Sequence, residues 1–244
     1  MGGRGAWSMT HQGRKYKISV GDVSSSVALG NVDNTPDSRK DIQTMFKEIG
    51  FASVGGTGGM GTAVLGALGI QLNNLERKYG AIGSSGKVTL MTADGGGFKA
   101  AVGADDHGNQ ALILNPKSFK SVSSYNAGLK AEQAAGSKMP TDGSVKNNFR
   151  YTVTHEYGHM LQNSMYQKAV AKGYKGTSGQ YAREVRKSIV KTATGKYNGT
   201  QGSLSTYGAT NSHEFFAEAF ASAHLGKPTA VGKAMLDWLK SSGY

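Results

Sequence analysis

His155-Glu156-Tyr157-Gly158-His159 constrains this chain more than any other stretch, because it reads HExxH inside a segment of helical character. Residues four apart on an α-helix lie about 40° apart around the axis, so His155 and His159 project from one face. Two imidazoles so placed can hold one zinc ion, with Glu156 close enough to act on a metal-bound water. A catalytic zinc takes three protein ligands and leaves a fourth position open, so a further ligand has to be found elsewhere in the chain.

One route would place a glycine three residues after the second histidine and a third histidine three beyond that. Gln162 and Met165 stand at those positions, which closes it. The other route recruits a Glu from a later helix, and 211–220, NSHEFFAEAF, reads as that helix. Asn211 or Ser212 suits its N-cap, and Glu214 falls in its first turn. Glu214, Ala217, Glu218 and Ala221 share one side; Phe215, Phe216, Ala219 and Phe220 share the side a core would want. Small alanines around the two carboxylates would let the histidine helix approach closely. Two like charges four apart, with no Lys or Arg between them, are otherwise unfavourable. A zinc ion on one and a histidine N–H on the other would remove the conflict. Glu214 is therefore expected as the third ligand and Glu218 as the acceptor that orients a ligand histidine. The plainer alternative is an acidic capping turn, with Glu214 completing a capping box. His213 projects about 100° away from Glu214 and is the fallback ligand.

HEYGH, followed by a second string over 207–220, YGATNSHEFFAEAF, resembles the catalytic domain of anthrax lethal factor and related zincin-like domains of the gluzincin type in toxins and phage proteins. The resemblance covers roughly 149–224, about a third of the chain, with a weakly matching stretch between the motifs. It implies a zinc endopeptidase in which His155, His159 and Glu214 are ligands, Glu156 is the general base and Glu218 the orienting acceptor. It also implies that Tyr207 donates a hydrogen bond to the oxyanion. Without it Tyr207 would pass for one packing residue among eleven tyrosines.

Cysteine is absent, which excludes disulfides and thiolate zinc sites and leaves His, Asp and Glu to supply any metal site. The amino terminus has no apolar h-region, so synthesis in the cytoplasm is expected, with virion association or delivery as an effector left open. No charge occurs between Ile49 and Leu75, but the densest apolar run, 62–70, is too short to cross a bilayer and is flanked by glycines. No transmembrane helix is expected. Net charge is +12, from 28 basic and 16 acidic residues, which favours weak association with polyanions. No nucleic-acid motif accompanies it, and a solvated basic face is the default. A positive enzyme also repels the strongly basic peptides that lethal factor favours, so that preference is not carried over.

Glycine, 36 of 244 residues, is densest over 55–69 and at Gly95-Gly96-Gly97. Residues 1–60 are expected to be a glycine-rich flexible segment and 61–244 the zincin-like domain. Within the former, a strand is expected at 15–20 and a helix at 37–48. The segment 56–61, GTGGMG, formally matches GxGxxG after a strand-like 51–54; with no second βαβ unit to follow, a dinucleotide site is rejected. A helix is expected over 63–79 with Gly80 as C-cap, then strands at 87–92, 98–102 and 111–114, the last as a substrate-pairing edge. Helices follow at 147–172, 179–192, 212–224 and 229–241. The fold class is thus α+β: a small mixed sheet packed on the HExxH helix, then a mainly helical part. Two other readings stand beside the peptidase: a catalytically idle zincin-fold structural or binding protein, and a basic polyanion-binding protein.

Overall fold

The computed structural model describes residues 6–11, 14–19, 39–83, 88–93, 99–104, 109–120, 125, 127, 148–200, 204–205, 207–224 and 228–244. Gly95-Gly96-Gly97, Lys87, Phe98, Asn147 and most of the first 38 residues lie outside that set. The chain is α+β, with a small mixed sheet. It divides into two compact units, Met1–Tyr125 and Asn126–Tyr244, whereas the sequence reading sets its boundary at residue 60.

In the first unit β1 (Ala6–His11) pairs antiparallel with β2 (Arg14–Ser19). α1 (Arg39–Ile49), β3 (Ser53–Val54) and α2 (Thr62–Tyr79) follow, then β4 (Val88–Thr92), β5 (Ala100–Ala104) and β6 (Gln110–Leu114). The sheet order is β3-β4-β6-β5; β3, β4 and β6 are parallel and β5 runs antiparallel to β6. β6 lies between two neighbours and is buried at all five positions. That corrects its expected role as a substrate-pairing edge. Its continuous apolar run, Ala111-Leu112-Ile113-Leu114, is the signature of a strand covered on both faces, not of an edge.

The charge-free region is packed inside this unit. Leu65, Leu68 and Leu72 of α2 are buried, as are Ile42, Met45 and Phe46 of α1. A Cβ on Gly69 would lie 2.0 Å from Met45 Cε, so the Met45 side chain fills the space that this glycine leaves. No helix among the described residues is long and apolar enough to cross a membrane.

A GxGxxG match needs a strand before it and a helix after it, and here β3 and α2 provide both, with β4 completing one parallel βαβ unit. The glycines are nonetheless used by the chain itself. Added Cβ atoms on the motif's Gly56 and Gly61 would meet Thr92 Oγ1 at 2.2 Å and the Lys120 carbonyl at 2.6 Å, and one on the intervening Gly59 would meet Pro116 Cβ at 3.2 Å. Close internal packing accounts for two of the motif's three glycines without a nucleotide.

The described part of the second unit is helical: α3 (Asn148–Ala171), α4 (Ser178–Tyr197), α5 (Ser212–His224) and α6 (Ala230–Ser241). α5 packs against α3, α4 and α6. It is consequently buried from Glu214 through Ala221 on every side, and not split into a core face and a site face. α4 starts on a capping box between Thr177 and Gln180 and runs through Gly195 to Tyr197, beyond the expected end at 192. Its last turn is tied to α6 by Asp237, which accepts from Lys196 and Tyr197 at 2.7 Å each.

Candidate metal centre

α3 carries His155 and His159 on successive turns with Glu156 directly after His155, and α5 carries Glu214 and Glu218. The two helices can approach because Gly158 has no side chain: an added Cβ would stand 2.9 Å from Ala217 Cα and 3.3 Å from Phe220 Cβ. Asn211 fixes where α5 begins, its Oδ1 accepting from the backbone N–H of His213 (2.9 Å) and Glu214 (3.0 Å). Glu214 thereby sits in the first turn with its carboxylate turned toward α3. The cap is the Asn211 side chain, and Glu214 is not spent on a capping box.

Three donor atoms come together. His155 Nε2 lies 3.1 Å from His159 Nε2 and 3.1 Å from Glu214 Oε2, and His159 Nε2 lies 3.4 Å from the same oxygen. Two ligands held about 2.0–2.1 Å from a tetrahedral zinc stand roughly 3.3 Å apart, so the triangle has the dimensions such an ion needs. Glu214 Oε2 is buried and has no hydrogen-bond partner, although two ring nitrogens crowd it. The two Nε2 atoms are within hydrogen-bond distance of each other, but Oε2 is left without a partner, and a cation between the three would engage all of them. His155, His159 and Glu214 could therefore hold a metal ion.

Behind His155 stands Glu218, 1 % exposed. His155 Nδ1 is 3.3 Å from Glu218 Oε1, and neither atom has another hydrogen-bond partner, so a small ring rotation completes an N–H···O bond. That bond would put the proton on Nδ1 and leave the Nε2 lone pair facing the other donors. Glu218 Oε2 accepts from the Tyr151 hydroxyl and from Ser205 Oγ at 3.0 Å. Tyr151 lies one turn before His155 on the same face of α3, a spacing that marks it once Glu218 is known to be the target. Ser205 is in a loop, where no periodicity could have singled it out.

Charge is poised accordingly. Burial opposes protonation of His155, but the contacts with Glu214 and Glu218 outweigh it and hold the imidazole well above its ordinary value. Burial pushes the Glu156 carboxyl up, against the nearby His155 and His159. Burial acts the same way on Glu214, but there the two histidines win and hold it below the carboxylate range. Tyr207, half-buried, has its ring centroid 6.0 Å from that of His155. His213 is engaged elsewhere, its Nδ1 2.8 Å from Gln162 Oε1. It takes no place among the three donors.

Comparison of the chain with protein-family models, with curated proteins and with solved structures finds no match.

Proposed function

We propose that this chain is a zinc-dependent endopeptidase of zincin-like fold, with His155, His159 and Glu214 as ligands. The observation that carries the reading is a triangle of donors, two buried and one part-buried, with edges of 3.1, 3.1 and 3.4 Å, closed by an Oε2 that has no hydrogen-bond partner. The chemistry such an ion supplies is a lowered pKa for bound water and polarisation of a scissile carbonyl. Glu156, kept basic by burial, takes a proton from the attacking water and passes it to the leaving amine. Tyr207 donates its hydroxyl to the oxyanion, whose charge exists only in the transition state. A site needing only structural metal would require neither group. The net charge of +12 adds salt-dependent retention on polyanions to this proposal.

Two measurements test it. Elemental mass spectrometry should find about one zinc per chain in the wild type and far less in folded Glu214→Ala. A peptide-library screen should then give cleavage that Glu156→Gln abolishes while zinc is retained, a loss of at least about a hundredfold. A folded wild type that cannot be loaded with zinc would sink the reading. Near-normal turnover by Glu156→Gln would remove Glu156 from its role.

A further inference from the structure

Glu218 receives more support than a single histidine contact needs. Two hydroxyls, from Tyr151 and Ser205, converge on its Oε2, leaving Oε1 for His155. A carboxylate anchored through one oxygen by two donors from different segments cannot swing without breaking both bonds. The other oxygen is thereby held at His155. Ser205 also looks the other way. Its oxygen accepts the backbone N–H of Gly208 at 3.0 Å, and Gly208 directly follows Tyr207. The turn is pressed close at that point: a Cβ on Gly208 would stand 3.0 Å from both Cβ and Cγ of Glu218.

A continuous chain of contacts results: Gly208 N–H donates to Ser205 Oγ, Ser205 Oγ–H donates to the Glu218 carboxylate, and that carboxylate faces His155 Nδ1. We infer that Tyr151 and Ser205 are positioning residues for the metal centre, and that Ser205 alone also fixes the turn bearing Tyr207 to the carboxylate that orients His155. Ligand alignment and placement of the oxyanion donor would then share one hydroxyl, that of Ser205. The metal half of this inference rests on the three-ligand site, and the turn half on the hydrogen bonds alone; neither requires that peptides be cleaved.

The test uses the full chain as wild type, Tyr151→Phe, Ser205→Ala and Ser205→Thr. Zinc affinity is measured by competition with a chromophoric chelator, and the visible spectrum of the cobalt-substituted protein reports ligand geometry. Hydrogen exchange of the 204–210 segment reports the turn. Tyr151→Phe and Ser205→Ala should each weaken zinc binding about tenfold or more and shift the cobalt bands, as loss of partners that orient a ligand does. Ser205→Thr, which keeps the hydroxyl, should restore affinity to within about threefold of wild type. Only Ser205→Ala should speed exchange of the turn. Wild-type affinity and cobalt bands in both hydroxyl-deletion variants would overturn the positioning role. Equal exchange of the turn in Tyr151→Phe and Ser205→Ala would overturn the special place of Ser205. A wild type that binds no zinc would refute the metal centre itself, whereas one that binds zinc and cleaves no peptide refutes only the peptidase reading.

Discussion

Gly158 should matter more to the metal than to the fold. An alanine there puts a carbon 2.9 Å from Ala217 Cα, where carbon atoms in contact sit at about 3.5–4.0 Å. The obstacle is backbone and cannot rotate away, so α5 must retreat from α3 by roughly 0.6–1 Å. Overpacking of this kind costs about 1–3 kcal/mol, and replacing a helical glycine by alanine returns about 1 kcal/mol, so the net loss of stability is small. The donor triangle tolerates far less. Its corners come from both helices, and metal–ligand distances admit about ±0.2 Å. Gly158→Ala is therefore expected to lose at least about a hundredfold in zinc affinity, the upper end for losing a group that merely orients a ligand. Gly195→Ala is the control: nothing lies within 4 Å of its added Cβ, so it should gain up to about 1 kcal/mol and bind zinc normally. Competition titration gives the affinity, and thermal denaturation in excess chelator gives the stability. Folded Gly158→Ala with zinc affinity within about threefold of wild type would refute the argument.

Zinc must displace a proton from His155, whose imidazole is held charged against its own burial by Glu214 and Glu218. Affinity should fall about tenfold per pH unit below that raised pKa and level off above it, which calorimetry in buffers of different ionisation enthalpy would show as proton release. In the metal-free protein the same pair contributes stability that is full below about pH 6.5 and is lost as pH rises through the folded value. Because every donor and both hydroxyls of the network lie within Asn126–Tyr244, a 126–244 fragment should bind zinc with about the wild-type affinity if it folds, and elemental analysis of the fragment checks this.

Most element positions were legible because the local signals agree. Gly80, expected as the C-cap of α2, has φ 61° and its N–H bonds to the Glu76 carbonyl. α5 occupies 212–224 as its N-cap and apolar run predict. What failed to read depends on partners distant in sequence. Position in the chain suggests an edge for β6, whereas its unbroken apolar run belongs to a covered strand, and its two partners decide the matter. β1 alternates only over Trp7-Ser8-Met9-Thr10, a run too short to stand out from its glycine-rich surroundings. In the site, the triangle of His155, His159 and Glu214 was legible from helical spacing. Gly158 appeared only as an x in HExxH, yet its contact with Ala217 lets the two helices meet. Tyr151, Ser205 and the Gln162–His213 pair are side-chain contacts spanning 67, 13 and 51 residues, which no periodicity encodes.

Glu156 offers the sharpest separation of stability from chemistry. Three carboxylates, Glu156, Glu214 and Glu218, are buried around two imidazoles, and none of the three pairs with Lys or Arg among the described residues. Glu214 is repaid by its histidines, so its ionised form is favoured in the fold. Glu156 is not: desolvation dominates, Glu214 adds to it, and the pull of His155 and His159 fails to compensate. A carboxyl whose folded pKa lies above its unfolded value costs stability wherever it is ionised. The cost is absent below the unfolded pKa, near 4.5, and complete above the folded one. Glu156→Gln keeps the shape and removes the charge. In excess chelator it should therefore melt at a higher temperature than wild type at pH 8, and the advantage should vanish toward pH 4. The group that would do the chemistry is then one the fold holds at a loss, as expected of a base kept reactive by its surroundings. A Glu156→Gln protein less stable than wild type at pH 8 would mean that the carboxylate is satisfied where it lies, and that burial does not make it a base.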